Sequence, residues 1–288
     1  MHTDTYTTSC AAFSRAETFS ASMTESRLDS ALAARGLARS RTHAARLIAD
    51  GLVSVDGAPV LKASARVADS QDIAVAESDH YVGRAAHKLI AALDGFSINV
   101  AGRFALDAGA STGGFTQVLL ERGIEQVIAV DVGHGQLAPS LEGDPRVVSV
   151  EGFNVRHMNR QSLAQASGVS RPPDLLVGDL SFISLRTVLP ALTQTVAEYA
   201  DLILLIKPQF EVGRGGIREG IVRSAALRED AVAGVLWAAW DCGVGTAGLV
   251  PSPLPGTHGN REYLVWLNAT TGRHPTEWMR QISTMVGA

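Results

Sequence analysis

Five charged side chains in this 288-residue sequence stand where an apolar run begins or ends. Lys207 closes "DLILLIK", Asp179 closes "DLLVGD", Asp131 closes "VIAVD", Asp107 interrupts "FALDAG", and Glu262 opens "EYLVWL". Short apolar runs of this kind read as strands buried on both faces, so each charge sits at a strand end. Ammonium and carboxylate groups gathered there can bind a polar ligand or handle a proton. A lysine serves as a base only where burial or a nearby cation lowers its pKa. Each residue also has an ordinary structural role open to it. Asp179 can cap the helix that opens after Ser181, Lys207 can snorkel, and Glu262 can lie exposed.

The elements that position these groups alternate from Phe104 onward. Seven strands are expected, in "FALDAG", "VIAVDV", "VVSVEG", "DLLVGDLSF", "DLILLIK", "TAGLVPSPL" and "EYLVWLN", with helices between them that include Leu185 to Tyr199 and Arg223 to Trp240. Such alternation predicts a parallel sheet covered by helices on both faces, with ligands bound in the crevice at the carboxyl ends of the strands. Lys88, in "GRAAHKLIAALDGF", can approach that crevice from the flank or belong to a solvated helical face. In "LDAGASTGGFTQVLLERG" the glycines Gly109, Gly113 and Gly114 link a strand to a helix whose free N–H groups suit an anionic or polar ligand. The spacing is neither G-x-G-x-x-G nor a phosphate loop, which disfavours NAD and ATP. Asp131, at the end of the next strand, can accept hydrogen bonds from two ribose hydroxyls.

The first part of the chain has a different grammar. Two helical patterns, Leu28/Leu32 and Ala44/Leu47/Ile48, join around Gly36, and short alternating strands follow. Arg35, Arg39, Arg41 and Arg46 occur with no acid among them, although the whole chain carries a net charge of -4. They form either a solvated face or a phosphate-binding one. Cys10 and Cys242 have no metal-ligand spacing, so a reduced, cytoplasmic protein without metal is expected. The apolar stretch "AVAGVLWAAW" is about half of what a bilayer requires. Residues 1–23 are rich in Ser and Thr and read as a disordered tail, with Met23 an alternative start.

Several motifs resemble known families. "RLDSALAARGLARSRTHAARLIADGLVSVDG" is similar to the S4-type RNA-binding domain shared by a ribosomal protein, pseudouridine synthases and tyrosyl-tRNA synthetases. That resemblance implies an RNA-gripping role for Arg35, Arg39, Arg41 and Arg46. The D-x-G loop with its second-strand acid resembles class I S-adenosylmethionine-dependent methyltransferases. It implies that Asp107, Gly109 and Gly113 line the cofactor's methionine moiety, that Asp131 holds its ribose and Asn154 lies near its adenine, and that Ser111, Gly114 and Phe115 also belong to the cofactor site. Lys88, Asp179, Lys207 and Glu262 match the Lys-Asp-Lys-Glu set of FtsJ-like ribose 2'-O-methyltransferases.

The ordered motifs "AHKL", "LDAGASTGGFTQVLL", "DLSFISL", "IKPQFEVG" and "NREYLVWL" resemble the TlyA-type "hemolysin" family, cytidine 2'-O-methyltransferases of ribosomal RNA. Gly83 and Ala85 depart from the family's usual linker. The implied fold is a small α+β S4-like domain (24–77), a linker (78–84), a Rossmann-like methyltransferase domain (85–270) whose seven-stranded sheet has an antiparallel last strand, and a C-terminal tail or helix (271–288). The implied activity is methylation of cytidine ribose in 16S or 23S RNA within ribosomal subunits, by a monomer needing no metal. An RNA-binding assembly factor and a membrane-active hemolysin are the alternatives. Whether Lys207 is a base or only orients the hydroxyl stays open, and the loop "GRGGIREGIVRS" is a candidate to close over substrate.

Overall fold

The computed structural model describes residues 25–49, 51–75, 80–256 and 259–287. The expectation for residues 1–23 lies outside them, as does part of the expected linker. The first unit comprises β1 (Glu25–Arg27), α1 (Leu28–Ala34), α2 (Arg41–Ala49), β2 (Val53–Val55), β3 (Ala58–Pro59), β4 (Arg66–Ala68) and β5 (Ile73–Val75). β2 and β3 form a hairpin around Asp56 and Gly57, both at positive φ (50° and 78°). That conformation matches the twist of the flanking strands. Leu28, Leu32, Ala44 and Ile48 are fully buried against Val53 and Ile73, so this small domain has a core of its own.

The second unit begins with α3 (Ala85–Phe96) and continues through β6 (Phe104–Ala108), α4 (Gly114–Glu121), β7 (Gln126–Val130), α5 (Pro139–Glu142), β8 (Val147–Val150), α6 (Arg160–Ser167), β9 (Leu175–Gly178) and α7 (Leu185–Thr195). It ends with β10 (Asp201–Ile206), α8 (Pro208–Glu211), α9 (Ala225–Asp241), β11 (Gly245–Pro251), β12 (Tyr263–Asn268) and α10 (Met279–Gly287). The seven strands from β6 to β12 form one sheet in the order β11-β12-β10-β9-β6-β7-β8. β12 runs antiparallel to both its neighbours, and the remaining pairs are parallel.

The apolar runs behave as their composition demands. In β10, Leu202, Leu204 and Ile206 join one buried cluster while Ile203 and Leu205 join the other, on the opposite face of the sheet. Alternating side chains of one continuous apolar strand therefore feed two cores. The stretch Ala231 to Trp240 lies within α9, whose Val232, Val235, Leu236 and Ala239 pack on the sheet. Among the described residues no helix is long and apolar enough to cross a membrane.

Candidate functional site

Strand register places the charges together. Gly178, at the end of β9, pairs alongside Leu204, and Tyr263, at the start of β12, pairs with Ile206 at the end of β10. Asp179, Lys207 and Glu262 each lie one residue beyond these ends, on the same edge. Pro208 occupies the first position of α8, which suits a proline, and leaves Lys207 extended at φ -113°. α3 packs beside β12 and brings Lys88 in from the flank.

The four side chains form an alternating chain of charge. Lys207 Nζ lies 2.6 Å from Asp179 Oδ1, and Lys88 Nζ lies 3.9 Å from Asp179 Oδ2 and 2.6 Å from Glu262 Oε2. Lys207 also donates to Ser181 Oγ at 2.7 Å. Lys88, Lys207 and Glu262 are all buried, where an unpaired charge would be costly. Burial pushes the Asp179 carboxyl up, but the Lys207 and Lys88 ammoniums outweigh it and hold the group below its ordinary value. Gly256 gives the backbone room at this point, since a Cβ there would run into Glu262 Oε1.

Two cavities meet at this chain. The first, of about 320 Å³, is lined by Lys88, Asp179, Lys207 and Glu262 together with Ser111, Gly114 and Phe115 of the glycine loop. The second, of about 500 Å³, is lined by Asp131, Asn154, Val132, Phe153 and Leu180, and shares Gly109, Ser111, Asp179 and Ser181 with the first. Asp131 accepts from the backbone N–H groups of Ser111 and Gly133 at 2.9 and 2.8 Å, which fixes its carboxylate at the cavity wall. Asn154 uses its side-chain oxygen to cap the turn at Arg156 N (2.9 Å). An acid, apolar ring-sized walls and a glycine loop together suit a nucleoside with a polar tail. Among the described residues no group of three metal-ligating side chains exists.

Two residues of the expected cofactor set lie beneath the loop and line neither cavity. Gly113 starts α4 at φ 93°, and a Cβ there would collide with Leu137 and Leu141, so it lets the loop settle onto α5. Asp107 is buried, accepts from Thr116 Oγ1 at 2.7 Å through Oδ2, and has no partner for Oδ1. Burial raises its pKa to about 7 despite the Thr116 bonds, with Asp179 and Asp131 adding to the rise. The folded-state value thus exceeds the unfolded one. The group contributes nothing below about pH 4, and stability falls as pH rises toward 7 and stays reduced above it. The full penalty is about 4 kcal/mol. Asp107→Asn should therefore melt at a higher temperature than the unaltered protein at pH 8, by an amount that shrinks at pH 5. Thermal denaturation at the two pH values checks this, and an equal effect at both would contradict it.

The four arginines divide. Arg35 donates to the carbonyls of Gln71, Ala68 and Asp69 at 2.7, 3.1 and 3.2 Å, and so binds α1 to the β4–β5 turn. Arg41 lies 3.3 Å from the buried Asp29 carboxylate, which Arg27 holds at 2.9 Å. Arg39 and Arg46 line a separate cleft between the two domains. In the loop after β10, Gly220 O and Val222 N are tied to the Asn260 side chain at 2.7 and 3.1 Å, and the loop's described side chains line neither cavity above.

Sequence reasoning missed several neighbours. Glu211 accepts from Ser184 Oγ and Leu185 N at 2.5 and 2.7 Å, which pins the start of α7 to the turn after Lys207. Phe182 stands 92% exposed at positive φ (65°) beside the second cavity. Ser181 and Phe182 fall inside the motif "DLSFISL" and Glu211 inside "IKPQFEVG", so their positions were marked though their contacts were not. Phe182 adjoins Ser181, but no periodicity marks an exposed aromatic.

The FtsJ-like methyltransferase family matches residues 81–269, and the S4 domain family matches residues 26–73. The chain belongs to the FtsJ-like methyltransferases. It is 48% identical over 86% of its length, and 91% of the relative's, to the 16S/23S rRNA (cytidine-2'-O)-methyltransferase TlyA of Mycobacterium tuberculosis. It is also 38% identical to Hemolysin A of Brachyspira hyodysenteriae, over 83% of this chain and 98% of that one. A solved structure of a hemolysin from Streptococcus thermophilus superimposes with a TM-score of 0.70 at 34% identity, covering 92% of this chain and 97% of the other. The methyltransferase fold, with the S4 domain before it, therefore extends over most of the described chain.

Proposed function

We propose that this methyltransferase moves the methyl group of S-adenosylmethionine to the 2'-hydroxyl of cytidine in ribosomal RNA within a ribosomal subunit. The observation that carries the reading is the Lys207–Asp179–Lys88–Glu262 chain at the junction of two cavities, one suited to a nucleoside-bearing cofactor and one to a ribose. The printed activity of the Mycobacterium tuberculosis relative supports cytidine as the target. Asp131 would hold the cofactor's ribose, with Val132, Phe153 and Leu180 against its adenine. When bound, the cofactor supplies an electrophilic methyl group.

The protein's part is to hold the acceptor. Lysine has three donor positions, of which Lys207 uses two, on Asp179 and Ser181. The third fits the ribose oxygen and keeps it in line for attack, and the hydroxyl proton, lost as the O–CH3 bond forms, passes to water because Lys207 already carries its full complement of protons. Asp179 fixes Lys207, and Lys88 lies between the Asp179 and Glu262 carboxylates, so the two ammonium groups are matched by two acids in a buried site. Labelled methyl transfer to unmodified ribosomal subunits tests the proposal. The expected product is 2'-O-methylcytidine, and label on a base would refute it.

The arginines make a separate prediction. Arg39→Ala should weaken subunit binding and flatten the salt dependence by about one unit, the change that follows when a single phosphate loses its cation. Arg35→Ala should instead destabilise the small domain, because three carbonyls lose their donor. Salt titrations of binding alongside melting curves separate the two. Equal salt slopes for Arg39→Ala and the unaltered protein would leave Arg39 as ordinary surface.

A further inference from the structure

The cleft between the two domains has a volume of about 460 Å³, and its ionisable walls are Arg39, His43, Arg46, Arg84, His87 and Tyr81, with no carboxylate among the lining residues. An acid-free, cation-lined cleft is conspicuous in a chain of net charge -4. Arg84 is shared, because it lines both this cleft and the catalytic cavity. The catalytic cavity is lined by three cations and two acids. Lys207 is matched by Asp179 and Lys88 by Glu262, whereas Arg84 has no carboxylate within ion-pair distance among the described residues. Its charge still reaches the centre, since it helps hold the Asp179 carboxyl down. On the other side its guanidinium approaches Gly51 of the small domain.

We infer that the interdomain cleft carries the RNA backbone toward the reactive ribose, and that Arg84 takes the phosphate flanking that ribose. The inference rests on the proposed methylation of RNA. A ribose at Lys207 brings its own phosphodiesters within one nucleotide's length, and a planar guanidinium with several donors suits a phosphate better than an ammonium does. Arg39 and Arg46, on the same cleft, then grip the backbone further along the same strand. Arg84 acts on substrate position, not on cofactor binding, and its removal should be read in the substrate's KM.

The test uses the full-length protein, unmodified ribosomal subunits and labelled S-adenosylmethionine, with Arg84→Gln and Arg84→Lys as variants. Arg84→Gln should raise the KM for subunits about tenfold or more, the scale of one charge-assisted hydrogen bond. It should also lower the slope of log binding constant against log salt by about 0.7 to 0.9. S-adenosylmethionine affinity and melting temperature should stay as in the unaltered protein, and Arg84→Lys should restore the slope and part of the KM. An unchanged slope and KM for Arg84→Gln would overturn the inference. So would a loss that tracks a fall in melting temperature and persists in Arg84→Lys, since that marks a structural link between domains. If the unaltered protein bound subunits but formed no 2'-O-methylcytidine, the proposed function would fail, while the salt slope, read without turnover, would still decide whether Arg84 holds a phosphate.

Discussion

Lys207→Ala will reduce methyl transfer to the ribose by about 10²–10³-fold, the range seen when one preorganised donor is removed from a reacting oxygen. S-adenosylmethionine binding should stay within a few-fold, because Lys207 lines only the smaller of the two cavities. The loss should fall on kcat more than on KM, since the residue proposed to fix the ribose oxygen is gone while the RNA-contacting surface remains. Lys207→Arg should stay impaired, because a forked guanidinium cannot fill the place of a point donor held between Asp179 and Ser181. Single-turnover transfer of labelled methyl, with calorimetric titration of the cofactor, measures both quantities. Undiminished transfer by Lys207→Ala would remove this residue from the mechanism.

Lys88→Met carries the largest expected effect on stability. It leaves the Glu262 carboxylate, whose side chain is 2% exposed, without the cation 2.6 Å away. Breaking a buried pair from one side typically costs about 3–5 kcal/mol. For a chain of this size that corresponds to a melting temperature lower by roughly 10 °C. The double variant Lys88→Met/Glu262→Leu should recover most of the loss, because a matched apolar pair carries no stranded charge. It should nevertheless remain inactive, with Asp179 deprived of its second cation. Melting curves and transfer assays on four proteins, the unaltered one, each single variant and the double variant, form the cycle. A single variant as stable as the unaltered protein, or a double variant no better than the single one, would show that the pair is not a structural constraint.

These expectations rest on features that differ in how visible they were beforehand. The seven sheet strands were legible because their apolar runs are continuous, and the charges ending them were legible because a charge beside such a run is conspicuous. β1 and β4 were not. Each has three residues, and the pattern in β1 is exposed, half-buried, exposed, so no periodic signal separates "ESR" from a loop. Arg35 looked equivalent to its neighbours because its acceptors are carbonyls 33 to 36 residues away, which composition cannot reveal. Asp107 was placed at the cofactor by motif, yet a motif records position along the chain and not whether the side chain turns up into the cavity or down into the core. Glu211 lay within the motif "IKPQFEVG", but its role did not show there, since its partners open a helix that precedes it in sequence.

The position of β12 sets an order in time. β12 follows β10 and β11 in chain order yet lies between them in the sheet, and Glu262 meets a lysine 174 residues earlier in the chain. A nascent chain that has completed β10 already holds Lys88, Asp179 and Lys207, two cations against one acid, with the edge of β10 unpaired. Closure of so long a loop is entropically late, and an exposed edge invites association until it is filled. The four charges proposed to act on the substrate therefore come into balance only when β12 pairs with β10, so that completion of the sheet and assembly of the site are one folding event.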